Sequence, residues 1–391
     1  MIPTILHISQ DEKFIESAKH QFNKLYGKQN QYYILVKNKT DSLRYVKKDV
    51  QTHKIEAENL VSLLDNLRLG SILIFHNLPT ATYSLVDKAH ENYTLIWIFF
   101  GMEVYNDHYF YSQNKLFGTY TKKIAPLKNT RTKKVFKNKL RPYYRLIQPN
   151  LPLGPQEHKK KIMEKFDYIG LLYREDFDNI RRIVKLKQPE HLHFSYYPIE
   201  KIVNTKSPIY QPKDIILIGN SGHPTSNHFD VLKRIDRFKL ISKNVVLPIS
   251  YGNAPYIKNL KKYIEDNITT PPTYLEEFLP LKEYNKWLVR VSIFILYTKR
   301  QQGVGNTIAL LYHGAKVFLS KHNTFYHYLK RLGVLVFCYE TQCNAKELSE
   351  GLTPEQILHN RKILYQALNE QHLLQSLAQQ LQPLLEDAKA D

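Results

Sequence analysis

Residues Val291 to Leu319 read VSIFILYTKRQQGVGNTIALLYHGAKVFL: an apolar run, a turn, a helix-patterned segment and a second apolar run. Val291–Tyr297 predicts a buried strand. Lys299, Arg300, Gln301 and Gln302 form a cationic, amide-rich turn, Gly303 and Gly305 follow, and Asn306 and Thr307 open the helical pattern. Val317–Leu319 predicts the next strand. Strand, helix and strand in succession are the unit of a parallel α/β sheet. N–H groups at a helix start and the helix dipole favour an anion, and glycines let a phosphate come close. Arg300 adds a guanidinium fork suited to phosphate. The stretch is built for a diphosphate.

The same alternation extends in both directions. From Asp214 onward, strands are expected at Ile215–Ile218, Val245–Ile249, Ile293–Tyr297, Val317–Leu319 and Leu335–Phe337, with helical segments between them. Such a doubly wound domain binds ligands at the carboxyl ends of its strands. Two further loops at that edge are rich in Gly, Asn and Ser: GNSGHPTSNH at 219–228, and Ser250, Tyr251, Gly252 and Asn253. Three such loops on one sheet edge point to one phosphate-bearing ligand. Neither glycine turn matches G-x-x-x-x-G-K-[ST], and no G-x-G-x-x-G follows the first strand. A P-loop nucleotidase and an ordinary NAD-binding domain are therefore disfavoured.

The first hundred residues repeat the theme, with strands expected at Ile5–Ser9, Tyr32–Val36, Ile72–Phe75 and Leu95–Phe100. Helical periodicity runs over Phe14–Tyr26 and Glu56–Leu69. With 391 residues and a hydrophobic fraction of 43%, the chain is long for one core, so two α/β domains with a cleft between them are expected. The divisions fall at 1–205, 206–345 and a helical, Gln-rich tail at 346–391. The two cysteines, Cys338 and Cys343, suit a reducing compartment and match no common zinc site. No signal peptide or membrane-spanning run is expected, since the longest apolar stretch, Leu95 to Gly101, is far too short.

The net charge of +20 is unevenly placed. From His108 to Gln156 there are eleven basic residues and no acidic one, with aromatic residues interleaved. This insertion fits nucleic acid, an anionic lipid surface or a polyanionic substrate. Asp176 and Asp178 form the single Asp-x-Asp, expected as an ion-paired helix face because carboxylates two apart diverge on a helix. Glu103 lies just past the strand-like WIFFG, and His76 ends SILIFH. A carboxylate between apolar walls can take a proton from a hydroxyl nucleophile. His7, inside the first strand, is expected as a core histidine.

GNSG at 219–222, SYGN at 250–253, LEEFLPLKEY at 275–284, RQQGVGN at 300–306 and KVFL at 316–319 resemble the TDP-N-acetylfucosamine:lipid II N-acetylfucosaminyltransferases. These are the family 56 glycosyltransferases, also described as 4-alpha-L-fucosyltransferases. GMEVY at 101–105 is similar to that family's Gly-x-acid-x-Tyr segment. The resemblance implies two Rossmann-like domains in the GT-B arrangement and an inverting transfer without cofactor or essential metal. It implies a dTDP-activated amino-deoxysugar as donor and a polyprenyl-diphosphate-linked saccharide as acceptor, at the cytoplasmic face of the bacterial inner membrane.

On that reading the departing diphosphate is stabilised by groups already in place. These are Arg300, Gln301, Gln302, Gly303, Gly305, Asn306 and Thr307, with Gly219, Asn220 and Ser221 from the neighbouring loop. Tyr251 and Gly252 would meet the base or ribose, and Glu277 a sugar or ribose hydroxyl. Glu103 is the first candidate for the base, and His76 the second. Lys133, Lys134, Lys137 and Lys139 would face the bilayer, leaving no role for nucleic acid. A nucleotide-sugar epimerase of the same fold is the alternative, with a basic nucleic-acid-binding protein behind it.

Overall fold

A computed structural model describes residues 4–124, 132–209, 214–238, 244–277 and 281–390; side chains at 132–135, 281–282 and 387–390 lie outside that description. The chain forms two compact units. One comprises Met1–Tyr111, Arg131–Tyr196 and Glu370–Asp391; the other comprises Ser112–Thr130 and Tyr197–Asn369.

The first unit carries strands β1 (Ile5–Gln10), β2 (Asn30–Val36), β3 (Thr52–Glu56), β4 (Ile72–His76), β5 (Thr94–Ile98), β6 (Tyr168–Leu171) and β7 (Glu190–His193). They pair in parallel in the order β3-β2-β1-β4-β5-β6-β7. Alternate residues of the central strands feed opposite faces, as the pleat requires. Ile72 and Ile74 pack with Phe22, Phe194 and the tail residues Leu377 and Leu381. Leu73 and Phe75 join Trp97, Ile162, Phe166 and Ile180 on the other side.

The second unit carries β8 (Ile215–Ile218), β9 (Asn244–Pro248), β10 (Thr273–Leu275), β11 (Val291–Leu296), β12 (Lys316–Leu319) and β13 (Phe337–Cys338). These are also parallel, in the order β10-β9-β8-β11-β12-β13. Both sheets are doubly wound, as expected. Each reverses its strand order at its centre, between β1 and β4 and between β8 and β11, which opens a crevice at the carboxyl edge. Strands β4, β8 and β11 are buried along their whole length, so they read as unbroken apolar runs rather than alternating ones.

Several elements differ from expectation. The helical pattern of Glu56–Leu69 is instead the end of β3 followed by short 3₁₀ turns at Ala57–Asn59 and Val61–Leu64. Bonds of the i to i+3 type close them, and Ser62 Oγ donates to the Asn59 carbonyl at 2.8 Å. Short polar side chains compete with a helix in this way. Asp176 and Asp178 do not share a solvated face. Asp176 is buried and accepts from the Tyr105 hydroxyl at 2.6 Å, while exposed Asp178 pairs with Arg174.

The basic insertion is shared between the units. Helix Thr119–Ile124 belongs to the second. The Asp230 carboxylate accepts from the amides of Tyr120 and Thr121, each at 2.9 Å, and Asn227 Oδ1 accepts from Gly118 N at 2.8 Å. A negative charge at free first-turn amides is favourable. A Cβ on Gly118 would lie 2.3 Å from Asp230 Cγ, so this approach needs glycine. Helix Thr132–Ile147 belongs to the first unit, where Lys137 and Lys139 are exposed; the Lys133 and Lys134 side chains lie outside the described residues.

The tail divides as well. Pro354–Leu368, capped by Thr353 and Gln356, stays with the second unit, and Glu370–Ala390 packs in the first. Residues just before 206 also go with the second unit, where Tyr312 donates to the Thr205 carbonyl at 2.8 Å.

Asp230→Ala removes two charge-assisted bonds to backbone amides, so a loss of about 2–3 kcal/mol in urea unfolding is expected. A change below about 0.5 kcal/mol, the ordinary range of surface substitutions, would show that Asp230 does not hold the segment.

Candidate functional site

In the second unit, three loops leave the carboxyl edge around the β8–β11 reversal. Chain direction at the first is set by Gly219, whose φ is 72°. A Cβ there would sit 2.5 Å from Nε2 of buried His228, so glycine alone fits. Three residues on, Gly222 pairs with Gly252 of the loop after β9. Gly222 N donates to Tyr251 O at 2.8 Å, and Asn253 N to Gly222 O at 3.0 Å. Gly252 has φ 144°, and a Cβ on it would lie 2.3 Å from the Gly222 carbonyl carbon. Two backbones thus touch where no side chain could intervene.

Tyr251 presents an exposed ring, while its hydroxyl donates to the Asn220 carbonyl at 3.1 Å. Burial of that polar end raises its pKa. Tyr284 lies close by; burial first, and then Tyr251, push its pKa up to about 12.

The loop after β11 closes the group. Gly303 is left-handed (φ 65°, ψ 29°) and caps helix Val304–His313. A Cβ on Gly303 would lie 3.1 Å from Asn220 Nδ2. Gln302 Nε2 donates to Asn220 Oδ1 at 2.9 Å and its Oε1 accepts from Thr225 Oγ1 at 2.7 Å, strapping the β8 and β11 loops together. Thr307, fully buried, donates its hydroxyl to Gly303 O at 2.9 Å, and the amides of the first turn have no acceptor within the helix. Gly305 is exposed, and a Cβ added to it would meet nothing within 4 Å. No protein atom calls for a glycine there.

Nearby, Arg300 Nη1 donates to Gln301 O at 3.1 Å. Arg300 also lies near His223, whose pKa is lowered by burial first and then by that cation, so His223 is neutral beside a positive charge. Lys299 Nζ donates to the Phe117 carbonyl at 3.1 Å. Glu277 stands exposed two residues past β10, and Asn306 is partly exposed in the helix's first turn. The structure therefore brings Gly219, Asn220, Ser221, Tyr251, Gly252 and the 300–307 turn to one place. His223, Thr225 and Tyr284 join them and were not singled out from sequence. The first two sit inside the flagged 219–228 loop, but their contacts to Gln302 and Arg300 cross 77 residues of chain.

Glu103 and His76 lie in the first unit. Glu103 sits in the short helix Met102–Tyr105, entered through Gly101 at φ 94°. Both carboxylate oxygens are buried. Burial raises its pKa, partly offset by the Glu103 and Phe100 amides, Lys159 and Trp97.

His76 belongs to a buried chain whose proton positions the geometry dictates. Asn30 Nδ2 donates to the carbonyls of Phe22 and Gly27 at 3.1 and 3.0 Å, which turns Oδ1 toward His7 Nε2 at 3.3 Å. His7 Nε2 therefore carries the proton, and its Nδ1 accepts from His76 Nε2 at 3.0 Å. His76 Nδ1 then accepts from the Tyr196 hydroxyl at 2.7 Å. Both nitrogens of His76 are taken, so it has no lone pair left for an acceptor's proton. His7 is the core histidine expected, stacked on Tyr32 at 4.4 Å.

Gly252→Ala is expected to part the Gly222–Gly252 contact and lower the melting temperature by several degrees; an unchanged melting curve would deny the contact its role. Burial lowers the pKa of His7 and of His228 to about 3, and that of His76 well below 6.5. The unfolded chain thus takes protons that the folded chain refuses. Stability is complete above pH 6.5 and falls as pH drops below it, by about 2 kcal/mol per histidine at pH 5. Ordinary carboxylates titrate mostly below this window, so a flat urea midpoint between pH 7 and pH 5 would contradict the neutral histidines.

Solved structures with this fold align over nearly the whole chain. HepE of Anabaena in complex with UDP shares 10% identity at a TM-score of 0.61, covering 97% of this chain and 100% of that one. A UDP-forming alpha,alpha-trehalose-phosphate synthase from Burkholderia vietnamiensis shares 9% at 0.60, covering 99% of each. Sucrose-phosphate synthase from Thermosynechococcus elongatus shares 11% at 0.58, covering 98% of this chain and 100% of its own. The two parallel-sheet units are thus the GT-B glycosyltransferase fold. The family model of 4-alpha-L-fucosyltransferases, glycosyl transferase group 56, matches residues 169–381, more than half of the chain and all three loops of the site. This chain belongs to that family of glycosyltransferases, enzymes that move a sugar from a nucleotide-sugar donor to a glycosyl acceptor.

Proposed function

We propose that the β8–β11 edge holds the diphosphate of a dTDP-activated deoxy-amino sugar, and that the enzyme transfers this sugar with inversion to a polyprenyl-diphosphate-linked saccharide. Gly305 carries this reading. An exposed glycine in a helix costs up to about 1 kcal/mol relative to alanine, and here no packing requires it. Room for a phosphate against the amides accounts for it. Arg300 supplies the compensating charge, and neutral His223 leaves that charge undivided.

In the transfer, an acceptor oxygen forms a bond to the anomeric carbon while the bond to the diphosphate oxygen breaks. Amides and Arg300 stabilise the charge that builds on the leaving group, without a need for a metal ion. The acceptor's proton goes to Glu103, a choice supported by its desolvated carboxylate and raised proton affinity. Tyr251 is placed to stack on the base or ribose, and Glu277 to meet a hydroxyl. A lipid-diphosphate acceptor would bring the enzyme to the cytoplasmic face of the inner membrane, where Lys137 and Lys139 meet anionic headgroups, as Lys133 and Lys134 would by their place in the sequence.

Gly305→Ala separates function from folding. Its stability should be unchanged or higher by up to about 1 kcal/mol, while dTDP affinity measured by calorimetry falls at least about tenfold. Unimpaired dTDP binding would remove the helix start from the site. Glu103→Gln should bind the donor normally yet lose transfer by about 100-fold or more; retained turnover would assign the base elsewhere.

A further inference from the structure

Helix Thr132–Ile147 is amphipathic in the reverse of the usual sense. Its polar stripe, Asn138, Arg141 and Arg145, is turned to the protein and fastened there. Asn138 Nδ2 donates to Gln156 Oε1 at 2.7 Å, Arg141 Nε to Pro152 O at 2.8 Å, and Arg145 to the Glu157 carboxylate. The apolar residues at i, i+4, i+7, i+8 and i+11, namely Phe136, Leu140, Tyr143, Tyr144 and Ile147, form the stripe away from these anchors. Phe136 is 66% exposed, Tyr143 67% and Ile147 80%, far beyond what scattered surface apolar residues require. Lys137 and Lys139 stand on either flank, both exposed.

We infer that this helix is an insertion element for an anionic lipid bilayer, lying in the interface with the Phe136–Ile147 stripe among the acyl chains. Charge selects this occupant. The stripe lies between exposed Lys137 and Lys139, in a helix with six basic residues and no acidic one, which matches anionic headgroups above hydrocarbon. Tyr143 and Tyr144 carry apolar rings with polar tips, the side-chain type that settles at a membrane interface. Among the described residues no helix is long and apolar enough to cross a membrane, so this is attachment and not spanning. The inference rests on the bilayer part of the proposed function and adds to it a hydrophobic component that salt does not screen.

The test is co-sedimentation of the whole protein with vesicles of phosphatidylcholine alone and of phosphatidylcholine with phosphatidylglycerol, at low and high salt. The triple variant Phe136→Ser, Tyr143→Ser, Ile147→Ser should lose at least about tenfold in partitioning to the anionic vesicles at either salt concentration. Its melting temperature and nucleotide binding should be retained. Lys137→Ala with Lys139→Ala should weaken binding at low salt only. Since Cys338 and Cys343 are buried, Ile147→Cys can carry an environment-sensitive fluorophore, whose emission should shift to the blue on anionic vesicles. A triple variant that partitions like the parent, with no emission shift, would overturn insertion while leaving lysine attraction intact. A parent protein that binds neither vesicle would overturn both. Concentration-dependent dimers abolished by the triple variant, without vesicle binding, would make the stripe an interface between copies of the chain.

Discussion

The second unit's site depends on Gly303 lying against Asn220. Gly303 is left-handed where it starts helix Val304–His313, and a Cβ there would crowd Asn220 Nδ2 at 3.1 Å. Asn220 in turn is fixed by Gln302, which Thr225 holds from its other end. Two strands that are neighbours in the sheet but about 70 residues apart in the chain, β8 and β11, are thereby joined beyond their last ladder bonds. The strap sets the helix start in a fixed place, and a preorganised set of donors is what a departing diphosphate needs.

Both units reverse strand order at the sheet centre, yet they fill the reversal in opposite ways. In the second, glycines bring backbone to backbone, beside a partly exposed Arg300 and an exposed Gly305. In the first, the corresponding strands β1 and β4 contribute His7 and His76, which consume each other's hydrogen bonds between Asn30 and Tyr196. One topology therefore yields a glycine-lined loop cluster in one unit and a neutral, closed polar chain in the other. The difference lies in side chains rather than in fold.

Much of this was legible in the sequence. The stretch 291–319 contained the strand, turn and helix of the decisive loop, because a strand covered on both faces must be continuously apolar. Strands β3, β6, β7 and β10 were not anticipated: they are three to five residues long, and β3 and β7 are strongly polar, as in EHLH, so no periodicity marks them. The roles of Asp176 and His76 depended on Tyr105, His7 and Tyr196, partners far away in sequence. The orientation of helix Thr132–Ile147 was equally hidden. Its lysines suggested an outward basic face, but which stripe turns outward is decided by Gln156 and Glu157, beyond the helix itself.

Hydrogen–deuterium exchange with and without dTDP, resolved to peptides across the whole chain, tests the central claim most directly. The account predicts that nucleotide slows exchange at 219–223, 251–253 and 300–307, with the largest effect at the amides that open the helix after Gly303. Protection confined to the first unit, with the 300–307 amides exchanging as before, would contradict it.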